Sequence, residues 1–411
     1  MEINLPNREN QALLVEEIKK QTSALQALAY RNEGVIVPSW IYAKDILGLG
    51  LDGAKAVMPI GTQLMNHVKA GDVLYDDPRD IVSYERVTTE GGAEHDAMIT
   101  KSHFGIDMYD IPFGTQEAFY KARDAVLPAG TYYITFGINW TNVVSGKSYQ
   151  FTLAQDLPVG GVLCGFRGAP DTALANWRVY AYSSQYAWEP TETVTVAEGT
   201  AGTFLGTLND TIHDGLNTLH RVAYGNSRWK TSVMRQWLNT SDKCNTDGTK
   251  TWWKSQTDFD MIPSCAKTVD GYMSLIDQEL VSVVSKVKVV TSRPNCDRVT
   301  GEDTFDVTYD YFYLPALEQM YIAPQNAGEG TYWGYYKELS NGTKFAWGTT
   351  YPSLIALSMK AKTAVSQRLR SAHTDYGSST WGVNPRGHIS DYSAVYAFVR
   401  AFPACAIIKS V

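Results

Sequence analysis

The stretch WGVNPRGHISDYSAVYAFVRAFPA, residues 381–404, is the part of the chain that decides how we interpret the fold. Small or apolar residues, among them Val383, Ile389 and Ala394, are interleaved here with large polar ones. Tyr, Ser, Asn, His and Arg form the mixture found in antibody paratopes, because rigid rings give contact area and short polar groups adapt their hydrogen bonds. The pattern favours a scaffold that displays a binding surface; the alternative is a polar loop ahead of a last strand.

The composition indicates a folded protein of two or three domains. The chain has 411 residues, 44% of them hydrophobic, with 25 Tyr and 11 Trp. Aromatic residues favour pleated and interface environments, so we expect β-rich, surface-binding domains. The net charge of −7 is spread over the chain without a basic block, which removes the electrostatic attraction that binding of nucleic acid requires.

Cysteine spacing and the start of the chain argue against a metal site, a disulfide framework and export. The five cysteines are odd in number, widely spaced and contain no C-x-x-C pair. We therefore expect free thiols, as in a protein folded in a reducing bacterial cytoplasm, and no metal or other cofactor. Residues 1–6 lack the charged and apolar regions of a signal peptide, and no run of about 18 apolar residues predicts membrane insertion.

The N-terminal segment, residues 1–58, is predicted to attach and oligomerise the protein. It contains a heptad-like helical pattern interrupted by one glutamine, with the seam Leu14, Ile18, Gln21, Leu25 and Leu28. The alternative is an amphipathic helix packed on its own domain. Residues 48–53 match G-x-G-x-x-G, but no apolar strand precedes them, so we predict a flexible joint rather than a dinucleotide site.

Residues 59–203 are predicted to form a β-sandwich or jelly-roll spacer domain. The predicted strands are 131–136, 148–153, 178–182 and 193–196. In each, residues with high β-propensity follow one another or apolar and polar residues alternate, and turn residues separate the strands. One helix is expected near residues 115–125. We interpret the acidic group Asp76, Asp77, Arg79 and Asp80 as solvated loop carboxylates rather than a cation site.

The character of the chain changes at residue 204. Residues 227–239 predict a helix with Trp229, Val233 and Trp237 on one face, Ser227 as its cap and Asn239 at its end. Residues 280–290 predict one or two strands, and residues 309–320 predict a strand that leads into a short helix.

Dispersed positions in this C-terminal half resemble a known family. They are residues 226–229, 235–239, 312–315, 369–372, 381–384, Gly387, Val399, Arg400, Pro403 and Ala404. The pattern resembles C-type-lectin-fold domains of the formylglycine-generating-enzyme-like branch, and within it the variable proteins of diversity-generating retroelements and related bacteriophage virion proteins. The resemblance covers residues 204–411.

This resemblance implies an α+β fold in which a loop-rich face near the C-terminus binds ligand and varies only at exposed positions. The implied ligand-binding positions are His373, Asp375, Tyr376, Asn384, Arg386, His388, Ser390, Asp391, Tyr392, Ser393, Tyr396 and Phe398. The implied framework is Trp381, Val383, Gly387, Ile389, Ala394, Val399 and Arg400. We also count Trp381 among the aromatic anchors of the site.

The sequence departs from the family at two points. The adjacent Arg-Pro ending of the family is stretched here over residues 400–403. The calcium-binding Glu-Pro-Asn and Trp-Asn-Asp strings of sugar-binding lectins are absent, so calcium-dependent capture of sugars is not implied.

Catalytic patterns are weak by comparison. The seven histidines include no H-E-x-x-H, and there is no G-x-S-x-G motif. Cys405 lies in an apolar run and is expected to be inert. Asp297, Asp306 and the acids at 302–303 offer carboxylate pairs for glycoside hydrolysis, but we interpret them as solvated loop acids. We therefore predict a binding protein rather than an enzyme.

The sequence predicts a multidomain protein, mainly β with α+β: an N-terminal oligomerisation helix, a β-sandwich-like middle domain and a C-terminal C-type-lectin-like domain. The predicted function is host attachment by a bacteriophage virion protein of the tail or surface. Its expected partners are a host cell-surface protein or glycan, other virion proteins and further copies of itself, with a trimer favoured. The alternatives are a structural decoration protein without a dedicated ligand and, less favoured, a carbohydrate-active enzyme.

Overall fold

The computed structural model describes residues 39–139, 144–164, 178–182, 192–209, 218–245, 250–257, 259–298 and 304–409. The described chain is mainly β, with short helices. The α-helices are α1 (Trp40–Asp45), α2 (Gly50–Val57), α3 (Leu219–Tyr224), α4 (Val233–Leu238), α5 (Gln278–Val283) and α6 (Gly334–Leu339). The predicted oligomerisation helix around residues 10–32 lies outside the described residues.

The strands are short and belong to several small sheets. The N-terminal strands are β1 (Gln63–Leu64), β2 (His67–Ala70), β3 (Val73–Asp76), β4 (Arg79–Thr88), β5 (Glu94–Ser102), β6 (Phe104–Gly105) and β7 (Ala118–Lys121). The middle strands are β8 (Gly130–Phe136), β9 (Ser148–Leu153), β10 (Val162–Cys164), β11 (Arg178–Tyr182), β12 (Glu192–Thr195), β13 (Ala197–Glu198) and β14 (Thr203–Leu208). The remaining strands are β15 (Val284–Ser285), β16 (Val287–Ser292), β17 (Phe305–Asp310), β18 (Phe312–Tyr313), β19 (Ala356–Ser358), β20 (Ala364–Val365), β21 (Gln367–Ala372), β22 (Ser379–Val383), β23 (Ile389–Ser393) and β24 (Ala404–Ile408).

The largest sheet joins the two ends of the described chain. Its order is β1-β4-β5-β24-β15, and β18 also pairs with β24. One core packs around it and contains side chains from Trp40 to Phe113 and from Trp229 to Ile407. Residues 63–102 therefore pack with the C-terminal half, whereas the predicted division at residue 203 placed them with the spacer. The reason is the antiparallel pairing of β5 with β24, a contact between distant parts of the chain.

A second core lies between two four-stranded sheets. One sheet has the order β12-β11-β10-β7 and the other β13-β9-β8-β14, in which β14 runs parallel to β8. Side chains from both sheets, such as Phe119, Phe136 and Phe151, share this core. The four strands predicted here are confirmed. The predicted helix at 115–125 is wrong: residues 118–121 form β7, because Phe119 inserts between the sheets and β7 pairs with β10.

The helix predicted at 227–239 begins later than expected. Trp229, Val233 and Trp237 are all buried, as the predicted face requires. However, Trp229–Thr231 form a 3₁₀ turn and Ser232 is extended, so α4 begins at Val233 with Ser232 as its N-cap. Ser227 does not cap the helix, and its buried hydroxyl has no hydrogen-bond partner within the part of the chain that the structure describes. Because a cap needs extended backbone one residue before the helix, Ser232 takes that role.

The structure differs from three other local predictions. Residues 278–283 form α5, so the strands expected across 280–290 begin only at Val284. The short helix expected before residue 320 is a single turn, ended by Tyr321, whose φ is 58°. Residues 48–53 are not a flexible joint, because they lie in a 3₁₀ turn and in α2, with Ala54 in the core. A helix rather than a strand precedes these glycines, so a dinucleotide site has no support.

The acidic group at residues 76–80 is largely buried instead of solvated. Arg79 is completely buried and pairs with the Asp77 carboxylate at 3.4 Å. Its Nη2 also donates to the Pro403 carbonyl at 2.8 Å. Burial raises the pKa of Asp77, and Arg79 opposes this rise. The group thus connects the N-terminal strands with the C-terminal segment instead of facing water.

All five cysteines are free thiols, and Cys164, Cys265 and Cys405 are buried. Burial raises the pKa of Cys265 to about 12. Among the residues that the structure describes, no helix has both the length and the apolar character needed to span a membrane.

The N-cap of α4 gives a direct stability test. The Ser232 hydroxyl accepts the Arg235 backbone N–H at 3.0 Å, so Ser232→Ala should lower the free energy of unfolding by about 1 kcal/mol in denaturant titrations. Ser227→Ala is the matched control and should change it little, because that hydroxyl has no partner to lose. Equal losses in the two variants would contradict the assignment of the cap.

Candidate functional site

The C-terminal stretch folds into a β-hairpin, which we call the display hairpin: β22, the turn at residues 384–388 and β23. The Asn384 side-chain oxygen accepts the backbone N–H groups of Arg386 and His388 at 2.8 and 3.0 Å. Gly387 has a φ of 81°, and a Cβ at this position would lie 2.2 Å from the Tyr351 carbonyl oxygen. Both features fix the turn, since few other residues adopt this conformation or leave this space.

Two of the predicted ligand residues at this turn remain available to a ligand. Arg386 is exposed, and His388 is half-buried with Nδ1 3.4 Å from the Thr350 hydroxyl. Asn384 is half-buried and its side-chain oxygen is occupied by the turn. Asn384 therefore shapes the hairpin, and the prediction that it contacts ligand overlooked this local role.

The display hairpin has two faces with different residues. Trp381 pairs directly with Asp391, and Thr380 pairs with Tyr392. Paired residues share a face and consecutive residues alternate, so Trp381 and Asp391 point to one face and Tyr392 to the other. Ser390 pairs with Gly382 on the Tyr392 face. The alternation therefore separates residues that the sequence analysis placed in one site.

The first face carries a row of four aromatic rings in contact, one pair stacked and two pairs tilted, which we call the aromatic stack: Trp347, Trp381, His373 and Tyr376. Ring centroids are 5.1 Å apart for Trp347 and Trp381, 5.1 Å for Trp381 and His373, and 4.5 Å for His373 and Tyr376. The two end rings are exposed, Trp347 by 41% and Tyr376 by 47%. These separations lie in the range of favourable aromatic pairs, and each end leaves ring surface accessible to a ligand.

Trp381 is part of the framework rather than of the exposed site. Its side chain is only 6% exposed, and its Nε1 donates to the Gln325 side-chain oxygen at 2.9 Å. The stack covers it between Trp347 and His373. The prediction of Trp381 as an anchor in contact with ligand is therefore wrong, and Trp347, which the sequence analysis missed, is the exposed indole. No local pattern marks Trp347, because only the tertiary structure brings it against Trp381.

Two carboxylates flank the aromatic stack. Burial lowers the pKa of His373, and Asp391 and Asp375 oppose this by favouring the imidazolium. The backbone N–H of Asp375 donates to His373 Nδ1 at 3.2 Å. The Asp375 carboxylate accepts a hydrogen bond from the Asn295 amide at 2.9 Å. His373 is thus held as a neutral ring at neutral pH, which suits stacking.

On the second face, a buried arginine holds the backbone of the display hairpin. Arg368 has no exposed surface and donates to the Thr380 hydroxyl and to the carbonyl oxygens of Tyr392, Ser393 and Tyr396, at 2.8 to 2.9 Å. Its guanidinium also lies 5.7 Å from the centroid of the Tyr392 ring. Burial lowers the pKa of Arg368 to about 9, which leaves it charged at neutral pH.

The turn that follows the hairpin presents two further aromatic rings. Tyr396 and Phe398 are 40% and 53% exposed, and their centroids lie 5.1 Å apart in a stacked arrangement. Arg400 supports the turn by donating to the Ala397 carbonyl and the Asp110 carboxylate, both at 3.0 Å. Val399, which lies between Phe398 and Arg400 in the sequence, is buried. These contacts keep the rings at the surface on a fixed backbone.

The structure thus divides the thirteen predicted residues into three groups instead of one face. The aromatic-stack group is His373, Asp375, Tyr376, Trp381 and Asp391. The hairpin-turn group is Asn384, Arg386 and His388. The second-face group is Ser390, Tyr392, Tyr396 and Phe398. Ser393 pairs with Ser379, so its side chain lies on the first face although its carbonyl accepts a hydrogen bond from Arg368.

The acids considered for catalysis serve as counter-ions. Asp297 pairs with Arg221, and Asp306 pairs with Arg228 at 2.5 Å, with both carboxylates almost fully buried. Two of the acids predicted to be solvated are therefore structural, and residues 302–303 lie outside the described part. Within the described ranges, no group of three or more His, Cys, Asp or Glu side chains is placed to hold a metal ion.

We predict that Arg368 sets the rigidity of the second face. Arg368→Met removes the donors of three carbonyl groups, so the free energy of unfolding should fall by at least about 2 kcal/mol. Hydrogen exchange of the amides at 392–396 should become faster. Arg386→Met is the control at an exposed arginine and should change neither measurement. Unchanged exchange in Arg368→Met would contradict this role.

His373 gives a prediction about pH. Its folded pKa lies below the unfolded value of about 6.5, so the unfolded chain takes up the proton first and stability falls as the pH drops below that value. NMR titration of the ring should show the low pKa, and Asp391→Asn should lower it further. Asp72→Asn, at an exposed turn, is the control. A higher pKa in Asp391→Asn would contradict the assignment.

Comparison with known proteins gives one match. Residues 206–409 match the model of a family described as a domain of unknown function, DUF6273. No curated protein and no solved structure matches the chain. The matched region includes the aromatic stack and the display hairpin, so this part of the chain is similar to a domain family and carries the candidate site.

Proposed function

We propose that the protein is a receptor-binding protein of a bacteriophage virion, located on the tail or the surface, which binds its ligand through a C-type-lectin-like C-terminal domain. The observation that carries the proposal is where the exposed aromatic side chains lie. Among the described residues, six aromatic side chains are strongly exposed, and four of them are Trp347, Tyr376, Tyr396 and Phe398. All four lie outside the display hairpin but close to it: Trp347 and Tyr376 end the aromatic stack on Trp381, and Tyr396 and Phe398 lie in the turn that follows β23.

Exposed rings on a stiff base are suited to recognition. An aromatic ring buries a large area on binding and has few rotatable bonds, so it loses little conformational entropy. Trp347 and Tyr376 end the aromatic stack, and Tyr396 and Phe398 stack on each other. We therefore propose two neighbouring contact areas, with Arg386 and His388 providing polar contacts at the turn between the faces.

The distribution of burial also supports a surface that tolerates variation. Val383, Gly387 and Ile389, which the family resemblance assigns to the framework, are buried. Arg386 and Phe398, which it assigns to variable positions, are exposed. Substitution at an exposed position generally changes stability little, so this face would accept new side chains without loss of the fold. We accordingly propose that a retroelement diversifies these codons.

We further propose that the protein is a homo-oligomer, with a trimer favoured, that is attached to the virion through its N-terminal segment. The heptad-like seam in residues 10–32 supports this part of the proposal. Several copies bound to one cell surface would convert weak single contacts into avidity. The expected ligand is a host cell-surface protein or glycan, and binding needs no cofactor.

The proposal predicts which residues attachment depends on. The double variants Trp347→Ala with Tyr376→Ala, and Tyr396→Ala with Phe398→Ala, should each weaken binding of the purified protein to host cells by at least about tenfold, because aromatic hot spots contribute about 2 kcal/mol each. Tyr332→Ala is the matched control, since Tyr332 is 42% exposed and lies outside both contact areas. Binding should be measured by flow cytometry with labelled protein.

Unchanged cell binding in both double variants, with their folding intact, would contradict the proposed site. Electron microscopy with antibody-labelled particles then separates receptor binding from the alternative function, structural decoration: a receptor-binding protein should lie at the part of the virion that contacts the cell. An even distribution over the capsid would favour decoration.

A genomic observation tests the diversification. An adenine-rich near-copy of the codons for residues 370–404, placed beside a reverse-transcriptase gene, is the expected finding. Differences between the two copies should fall on codons for exposed residues such as Arg386, Tyr396 and Phe398. Differences concentrated at buried positions such as Val383 and Ile389 would contradict the proposal.

A further inference from the structure

A cavity separate from the display hairpin contains a buried lysine. It has a volume of about 120 Å³, and its lining includes the polar residues Asp80, Lys101 and His103 and the apolar side chains of Leu354, Leu357 and Phe402. Strand β4 supplies Asp80, β5 supplies Lys101, and His103 directly follows β5. The loop before β19, β19 itself and the segment before β24 supply the apolar side chains. We call this space the Lys101 cavity.

Lys101 is almost completely enclosed and has few partners. Lys101 is 5% exposed, and its ammonium donates one hydrogen bond, to the Ser102 carbonyl at 2.9 Å. The ammonium lies 4.9 Å from the centroid of Phe402, which also lines the cavity. Among the described residues no carboxylate forms an ion pair with it, and the nearby Asp80 pairs with His103 instead. An ammonium has three donors, so two of them have no hydrogen-bond acceptor among the described residues.

The neighbouring carboxylate, that of Asp80, is hydrogen-bonded to residues other than Lys101. Asp80 lies directly opposite Lys101 in the pairing of β4 with β5. One of its oxygens accepts the Gln63 amide at 2.9 Å, and the other is 2.8 Å from His103 Nδ1. Asp80 therefore directs its hydrogen bonds away from Lys101. A buried cation without a contacting anion is unfavourable, and an anionic group in the cavity would relieve this.

We propose that the Lys101 cavity binds a short-chain carboxylate, with the carboxylate on the Lys101 ammonium and the alkyl part against Leu354, Leu357 and Phe402. Charge selects the head group, because the ammonium has donors to offer and Asp80 is hydrogen-bonded to Gln63 and His103 rather than to Lys101. The volume limits the alkyl part to a few carbons. This inference is independent of the proposed function, since it concerns neither the aromatic stack nor the display hairpin.

The titration of Lys101 provides a second readout. Burial lowers the pKa of Lys101 to about 8, Asp80 and Asp77 oppose this, and Arg79 adds to it. His103, Tyr335 and Tyr336 also face the cavity. A bound carboxylate favours the charged amine, so the pKa of Lys101 should rise when propionate is added. Selective ¹³C labelling of lysine side chains makes this shift visible by NMR.

The primary experiment uses the full chain and a panel of small probes. Saturation-transfer NMR or calorimetry should show that acetate and propionate bind at millimolar concentration. Propionamide and ethylammonium, which keep the size but lose the negative charge, should bind at least about tenfold more weakly. Propionate that binds no better than propionamide, or chloride that competes as well as acetate, would overturn the proposal.

Two variants locate the site. Lys101→Met should reduce propionate binding by at least about tenfold, and Lys288→Met, at an exposed lysine of β16, should leave it unchanged. If Lys101→Met fails to fold by circular dichroism, Ala356→Leu decides: it keeps the lysine and fills part of the cavity, so binding should be lost. Full binding by a folded Ala356→Leu protein would place propionate elsewhere and reject the assignment.

Discussion

The burial of two arginines on β21 is the constraint on which the C-terminal structure depends. Arg368 donates to the carbonyl oxygens of Tyr392, Ser393 and Tyr396. Arg370 donates to the carbonyl oxygens of Leu314, Val290 and Glu329. A buried guanidinium without partners is very unfavourable, so segments that supply these carbonyls must remain in place. These carbonyl acceptors are backbone atoms, so this part of the bracing does not depend on which side chains the segments carry, although the Thr380 hydroxyl and the Gln319 side-chain oxygen also accept from the two arginines.

This separation of backbone from side chains connects the fold to the proposed function. The display hairpin is fixed by Arg368 from beneath, by the Asn384 turn at its tip and by Gly387 against Tyr351. The rings of Trp347, Tyr376, Tyr396 and Phe398 lie outside this support. A surface built in this way loses little entropy on binding and can change its side chains without changing its shape.

Contacts between distant parts of the chain also hold together the largest sheet and the core around it. Strand β24 lies between β5 on one side and β15 and β18 on the other, so the last described strand joins three parts of the chain. Burial of Arg79 against Asp77 and the Pro403 carbonyl strengthens that junction. The two four-stranded sheets, whose described strands lie between residues 118 and 208, share a core of their own, and in the sequence they stand between the two parts of the chain that form the first core.

The sequence by itself determined the features that depend on neighbouring residues. Alternation predicted β8, β9, β11 and β12, and the buried face of Trp229, Val233 and Trp237 followed from helical spacing. The buried framework positions of residues 381–404, such as Val383, Gly387 and Ile389, also agree with the alternation, but most of the positions expected to be exposed are half-buried. The tertiary structure decided the rest: it made 118–121 a strand, buried Arg79 and Lys101, paired β5 with β24 and brought Trp347 onto Trp381. These outcomes depend on contacts between residues far apart in the chain, which local spacing does not encode.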